Sequence, residues 1–156
     1  MLSIHRPGQV PLEVEFILID FDGTLASDRR VHPKTKDRIN LLAKRTKIYI
    51  LAKGEREVIR DILRKVKAEI VFSSEGQCSQ ERLELLTRLG KDRTVAIGNG
   101  QEDASMIEEA ALAICVIGKE GASGGALRKA DVIVTDILDA LDFLLKPLRH
   151  QATLSL

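Results

Sequence analysis

The amino-acid sequence predicts a single α/β domain with a mostly parallel central sheet. From residue 16 onward, short apolar segments typical of buried strands alternate with longer segments whose apolar residues recur at helical spacing. The chain has 156 residues, 44% hydrophobic but only 3% aromatic, so we expect an aliphatic core. We expect one domain over residues 1–156, with a hairpin or edge strand over 1–15 and a tail over 146–156.

Six strands are predicted along the chain. Each is a short run rich in β-branched or aliphatic residues, bounded by polar or glycine-containing turns. Before them, Pro7, Gly8 and Pro11 interrupt the chain, which favours a short N-terminal hairpin or edge strand. The predicted strands are Phe16–Asp20, Lys47–Leu51, Glu69–Phe72, Thr94–Ile97, Ala113–Ile117 and Val132–Val134.

Between the strands, apolar residues at helical spacing predict helices. The first begins at Pro33, since proline suits a first turn, and the third has Ser79 as its expected N-cap and Gly90 as its end. The segment Gly118–Gly125 is predicted to be a loop beside the candidate site, and the tail is expected to pack on the body or on a partner. The predicted helical segments are Pro33–Arg45, Glu55–Lys67, Ser79–Leu89, Ile107–Leu112 and Ile137–Leu145.

Composition and charge argue against several classes of protein. The net charge of +1 gives no reason to expect nucleic acid or an anionic membrane as a partner, and no apolar run approaches the length of a membrane span. The N-terminus lacks the layout of a signal peptide. Cys78 and Cys115 match no metal spacing, so free thiols in a cytoplasmic protein are expected. His5, His32 and His150 show no metal-binding spacing and are expected at the surface.

The most informative segment is FILIDFDGTL, over residues 16–25. Its apolar run places Asp20 and Asp22 at the end of a strand, and residues two apart on a strand point the same way. Two carboxylates aimed at one place suit phosphoryl transfer, in which one acid attacks phosphorus, the other handles the proton and a metal ion assists. The alternative is an acidic turn in which Gly23 and Thr24 are ordinary turn residues.

A second informative segment is VAIGNGQEDASMI, over residues 95–107. Gly98 and Gly100 would let the backbone turn tightly after a strand. Asn99 and Asp103 would supply oxygen ligands, which Mg²⁺ prefers. G-N-G alone is a common turn, but its position after the first acidic segment favours a shared site.

Together, D-x-D-G-T-L and G-N-G-x-x-D resemble the first and fourth motifs of the haloacid dehalogenase (HAD) superfamily of phosphatases and phosphotransferases. From residue 76 onward the chain also resembles the archaeal soluble proteins named for their similarity to the phosphorylation domain of P-type ATPases. With the segment PGQVPLEVE before the first strand also matching, this resemblance covers nearly the whole chain and implies a HAD-like Rossmannoid three-layer fold. Neither segment in which such proteins insert a cap has residues to spare, so we expect no cap domain. An open site implies a large substrate or a lid from another subunit, and hence a possible homo-oligomer.

The resemblance implies a role for each acid. Asp20 would be the nucleophile that forms an aspartyl-phosphate, and Asp22 would be the acid and base. The metal would be Mg²⁺, held by Asp20, Asp22 through its backbone carbonyl, and Asp103, with Asn99 as a further oxygen ligand.

The chain departs from the superfamily at two other motifs. Ala52 stands where a Thr or Ser would donate a hydroxyl to the phosphate, so it offers only a backbone N–H, and Lys53 follows it. Arg82 stands where a Lys is usual; it keeps the charge and can bind phosphate through two hydrogen bonds. We predict that Ala52, Lys53 and Arg82 bind phosphate; the alternative is that Lys53 and Arg82 are solvated surface residues. Glu102 also stands where Asn is usual.

The function predicted from these patterns is Mg²⁺-dependent hydrolysis of a phosphate monoester, on a small phosphorylated substrate or a phosphoprotein. The alternative is a catalytically weak or inactive HAD-fold module with a binding or regulatory role, which Ala52 and Arg82 favour. A phosphoacceptor receiver domain is disfavoured, because that class needs an Asp after its third strand and this chain has Ser73 and Ser74 there.

Overall fold

The structure, a computed structural model, describes residues 1–156. An antiparallel hairpin precedes a parallel sheet of six strands. The hairpin strands are β1 (Leu2–Ile4) and β2 (Leu12–Val14), and the sheet strands are β3 (Phe16–Asp20), β4 (Lys47–Ala52), β5 (Glu69–Phe72), β6 (Thr94–Gly98), β7 (Leu112–Val116) and β8 (Val132–Val134). The order of the strands in the sheet is β5-β4-β3-β6-β7-β8, so the predicted α/β class with a mostly parallel sheet is confirmed.

Helices cover both faces of the sheet and complete the three layers. The helices are α1 (Pro33–Leu42), α2 (Arg56–Ile62), α3 (Cys78–Leu89), α4 (Ala104–Glu109), α5 (Gly124–Lys129), α6 (Ile137–Leu145) and α7 (Pro147–Leu154). On one face α1 packs against α6; on the other, α4 packs against α3 and α5.

The aliphatic residues of β3 divide between the two layers. Ile17 and Ile19 belong to the core that includes α1 and α6, whereas Leu18 packs with residues of α3 and α4. This follows from the two-residue period of a strand, which sends neighbouring side chains to opposite faces. A strand buried on both faces must be apolar throughout, so Asp20 stands out as a charged residue at its end.

No cap domain is inserted between the strands. Residues 21–32, between β3 and α1, end in a two-residue hairpin turn closed by two backbone hydrogen bonds of 3.0 Å between Ser27 and Arg30. From β4 to β6 the chain contains only α2, β5, α3 and a short 3₁₀ turn. No helix combines the length and apolar composition that a membrane crossing would need.

Several predicted helix boundaries are wrong for local reasons. The first helix ends at Leu42, not 45, because the N–H groups of Lys44 and Arg45 donate to carbonyls three residues back, which tightens the chain into a turn. The second ends at Ile62, not 67, because Lys65 adopts a φ of 69°. The third begins at 78, so Ser79 lies inside the helix and Gln77 is its N-cap. The predicted helix over 107–112 lies over 104–109, since residue 112 already belongs to β7.

Two helices were not predicted. The C-terminal part of the predicted loop Gly118–Gly125 enters α5, which Ser123 caps by accepting the Ala126 N–H at 3.1 Å. The tail forms α7, which packs on α6. The expected surface position of His150, on α7, is wrong. This side chain is fully buried, with Nδ1 accepting the His5 N–H at 3.2 Å and Nε2 lying 2.6 Å from the Phe143 carbonyl oxygen.

Candidate active site

The predicted site residues meet at the carboxyl ends of adjacent strands. β3 ends at Asp20 and its neighbour β6 ends at Gly98, where ligands commonly bind in open parallel sheets. A cleft of about 340 Å³ opens there, and none of its lining residues is hydrophobic. Its walls are formed by Asp20, Asp22, Lys53, Arg82, Asn99, Gly100, Gln101, Glu102, Asp103 and Glu120.

Asp20 is a buried carboxylate with two polar partners. It is 5% exposed, its Oδ1 lies 3.0 Å from Arg82 Nη1, and its Oδ2 accepts a hydrogen bond of 3.0 Å from the Thr24 hydroxyl. Burial, followed by the nearby charge of Asp103, raises the pKa of Asp20 well above its usual range, although Arg82 and Thr24 act in the opposite direction. The negative charge of this carboxylate is therefore only partly compensated by the protein.

Asp103 is fixed by the turn that follows β6. It is fully buried, and its Oδ2 accepts the backbone N–H groups of Asn99 and Gly100, each at 3.1 Å. A Cβ atom added to Gly98 would lie 2.5 Å from Asp103 Cγ. Gly98 is thus required by the close approach of the carboxyl group, whereas at Gly100 the nearest such contact is an ordinary 3.8 Å.

Arg82 reaches the cleft from α3 and joins the two buried acids. It is only 2% exposed, so the alternative of a solvated helix-face residue is wrong. Its Nη1 contacts both Asp20 and Asp103. Burial opposes the charge of Arg82, but the adjacent Asp103 and Asp20 outweigh it and raise the pKa of the guanidinium. The guanidinium therefore provides a permanent positive charge at the base of the cleft.

Lys53 lies on the rim and is already paired. Its Nζ is 2.6 Å from Glu102 Oε1, and Glu102 Oε2 is 4.0 Å from Arg82 Nη2. Glu102 therefore lies between the two cations that were predicted to bind phosphate. Ala52 ends β4 but is 1% exposed and does not line the cleft.

The charges of the cleft fit a divalent cation. Five carboxylates line it, against only two cations, so a phosphate dianion would meet a surplus of negative charge. Its donors are carboxylate, amide and carbonyl oxygens, the set that Mg²⁺ prefers. No three His, Cys, Asp or Glu side chains are grouped closely enough to hold a metal alone. A metal here would depend also on amide or backbone oxygens and on water, consistent with an exposed Asp22 whose carbonyl is the expected ligand.

Three contributors were not assigned a role from the sequence. The Thr24 hydroxyl lies 3.0 Å from both Asp20 Oδ2 and Asn99 Oδ1, so it connects the two motifs. Glu102 pairs with Lys53, and Glu120 reaches the cleft from the loop after β7. Thr24 could have been identified as part of D-x-D-G-T, whereas the other two depend on packing between distant segments.

Comparison with known proteins gives one curated relative. No protein-family profile matches the chain. A protein of Methanocaldococcus jannaschii, itself uncharacterised, is 43% identical over 76 residues, which cover 46% of this chain and 82% of that protein.

Solved structures share the fold. A protein from Streptomyces avermitilis assigned to the HAD hydrolase family superposes with a TM-score of 0.69 at 16% identity, over 85% of this chain and 90% of that chain. The 3-deoxy-D-manno-octulosonate 8-phosphate phosphatase of Moraxella catarrhalis was solved in complex with a magnesium ion, a phosphate ion and KDO. It superposes with a TM-score of 0.70 at 14% identity, over 89% of this chain and 90% of that chain. These similarities show that the chain has a HAD-like fold.

Proposed function

We propose that this chain, which belongs to the same family as the Methanocaldococcus jannaschii protein, is a Mg²⁺-dependent hydrolase of phosphate monoesters. The observation that carries the proposal is the buried Asp20, ion-paired with Arg82 at the end of a central strand and followed two residues later by the exposed Asp22. Within the HAD fold, we assign the chain to the capless group that resembles the soluble P-type ATPase-like proteins.

The proposed reaction has two halves, both on Asp20. A carboxylate oxygen of Asp20 attacks phosphorus and forms an aspartyl-phosphate. The bond from phosphorus to the ester oxygen breaks, its electron pair goes to that oxygen, and the Asp22 carboxyl group protonates it. In the second half Asp22 takes a proton from water, the water oxygen bonds to phosphorus, and the bond to Asp20 breaks. Inorganic phosphate leaves, and both carboxyl groups return to their starting states.

The remaining residues would bind rather than react. Arg82 and Lys53 would contact the phosphate oxygens, once Glu102 has left the two cations. Ala52 would contribute at most its backbone N–H. Mg²⁺ would be held by Asp20, Asp103, Asn99 and the Asp22 carbonyl, and when bound it would reduce the repulsion between a carboxylate nucleophile and a phosphate dianion.

A binding or regulatory module is the second candidate, and one observation favours it. Arg82 already contacts Asp20 and Asp103, and Lys53 is paired with Glu102, so both cations of the cleft have carboxylate partners. In such a module the phosphorylated ligand would displace Glu102 and remain intact.

Hydrolysis of an aryl phosphate separates the two candidates. We expect turnover with Mg²⁺, none with chelator, and none in Asp20→Asn, because the amide is not a nucleophile. Asp92→Asn, at an exposed position away from the cleft, is the matched control and should retain activity. Mass spectrometry of quenched enzyme should detect phosphate on the peptide containing residue 20. Turnover that persists in Asp20→Asn would refute the proposed nucleophile, and binding of phosphate without turnover would favour the module.

A further inference from the structure

A second polar cavity lies beside the cleft and has no part in the chemistry above. It has a volume of about 210 Å³ and lies between the segment of residues 21–32, the loop after β7 and the start of α6. A wider cavity of about 660 Å³ shares Ser27, Arg30, His32 and Lys119 with it. We call the two cavities together the Arg30 pocket. Glu120 lines both this pocket and the cleft, so the two spaces meet at that side chain.

Two cations on the pocket wall have no carboxylate partner. Arg30 and Lys119 are exposed and take part in none of the ion pairs of the structure. The smaller cavity also has two acids, and the exposed Asp28 lines the wider one. Asp136 accepts a backbone N–H at 2.7 Å as the cap of α6, and Glu120 lies toward the cleft, where its Oε2 would be 2.8 Å from a Cβ added to Gly23. The two cations are thus available to an anionic ligand.

The starts of two helices face the same cavity. The N-terminus of an α-helix carries a partial positive charge, which favours an anion. The side chains of His32 and Asp136 already accept the Lys34 and Leu138 N–H groups, so the two helices contribute their dipoles rather than these N–H groups. The residues at the starts of α1 and α6 that line the cavity are His32, Thr35, Asp136, Ile137 and Leu138.

The hairpin turn beside the pocket contains a buried hydroxyl with no partner. Ser27 Oγ is buried and makes no hydrogen bond, although Ser27 lines both cavities. Such a group is costly when nothing accepts its proton. The same turn holds Asp28 and Arg29 at φ values of 51° and 59°, a conformation that usually requires Gly or Asn. Strain of this kind is concentrated at binding sites.

We propose that the Arg30 pocket binds a second anionic group, a carboxylate or a phosphate, on the leaving portion of the substrate. The proposal rests on the phosphatase function above and makes it specific: preferred substrates are phosphate esters that carry another anion. The phosphate ester of such a molecule occupies the cleft at Asp20. The leaving portion extends past Glu120, and its anionic group contacts Arg30 and Lys119.

Phosphonates, which the enzyme cannot hydrolyse, test this proposal directly. With Mg²⁺ present, calorimetry would compare methylphosphonate with ω-phosphonocarboxylates of increasing chain length and with the matching bisphosphonates, which separates a preference for carboxylate from one for phosphate. For one chain length we expect binding about tenfold tighter than that of methylphosphonate, the effect of one charge-assisted contact. The gain should disappear in Arg30→Gln/Lys119→Gln. It should persist in Arg29→Gln, a cation on the same turn that lines neither cavity.

A second experiment tests anion binding in the Arg30 pocket separately from phosphate binding in the cleft. Amide resonances of the ¹⁵N-labelled protein would be followed during titration with propionate. We expect shifts at the Arg30 pocket in the wild type but not in the double variant. If no phosphonate binds but these shifts occur, the phosphate site is refuted and the anion pocket stands. The inference is overturned if no phosphonocarboxylate or bisphosphonate binds more tightly than methylphosphonate. It is also overturned if the tighter binding survives in Arg30→Gln/Lys119→Gln, or if neither phosphonates nor propionate bind.

Discussion

Asp20 carries a charge that the fold disfavours. Its pKa is raised chiefly by burial and next by Asp103, which means that the ionised carboxylate costs stability at neutral pH. This cost is relieved as the pH falls through the raised pKa. Polar groups that are unfavourable for folding are often retained where chemistry needs them. At this position, stability and the proposed nucleophilic role make opposite demands on one side chain.

Replacing that charge should therefore stabilise the protein while inactivating it. We expect Asp20→Asn to raise the melting temperature in chelator, by about 2–4 °C for each kcal/mol relieved. The amide oxygen can still accept the Thr24 hydroxyl, and Arg82 keeps Asp103 as its partner. Thermal denaturation of wild type, Asp20→Asn and the surface control Asp92→Asn would measure this. A lower melting temperature would mean that the ion pair with Arg82 outweighs the cost of burial.

Glu102 should act as an internal competitor of phosphate. Its carboxylate lies 2.6 Å from Lys53 Nζ and 4.0 Å from Arg82 Nη2, so a phosphate must replace it. We expect Glu102→Gln to lower the inhibition constant of inorganic phosphate about two- to fivefold, the value of a partly exposed ion pair. Inhibition assays should show an unchanged constant in Glu108→Gln, which breaks an exposed pair with Lys129. Weaker phosphate inhibition in Glu102→Gln would show that Glu102 instead assists binding.

Among the elements, α7 depends on one buried histidine. The imidazole of His150 accepts the His5 N–H and lies 2.6 Å from the Phe143 carbonyl oxygen, so it joins α7 to the start of the chain and to α6. Burial lowers the pKa of His150 below its ordinary value of 6.5, and the hydrogen bond to Phe143 only partly opposes this. The folded protein therefore favours the neutral ring.

This burial makes the docking of α7 sensitive to acid. The unfolded chain binds a proton near pH 6.5 and the folded chain only at lower pH, so stability is greatest above 6.5 and falls as the pH drops through that value. Between about pH 7.5 and pH 5.5 we expect the melting temperature of the wild type to fall relative to that of His150→Gln, which cannot titrate, because the contribution of Asp20 is the same in both proteins. Equal slopes for wild type and variant would refute this role for the imidazole.

For the whole molecule, local sequence patterns predicted the sheet better than the site. The six strands and Asp20 followed from aliphatic runs and one short motif, because a strand buried on both faces must be apolar throughout. Helix ends were less predictable, since they depend on individual contacts such as the three-residue hydrogen bonds of Lys44 and Arg45. The position of Arg82 followed from counting along the chain, but its burial did not. That burial depends on packing of α3 on α4, which no local pattern contains.

The pairing of β3 with β6 also determines when the candidate site is completed during folding. Phe16 lies opposite Thr94 and Ile19 opposite Ile97 in this register, so the two strands come together across a long stretch of intervening chain. Contacts of high sequence separation form late, because their loop-closure entropy must first be overcome. A ribosome-bound chain that ends before β6 would already contain the D-x-D-G-T segment, yet Asp103 would be missing. The candidate site therefore exists only in a chain long enough for β6 and the turn after it to join the sheet.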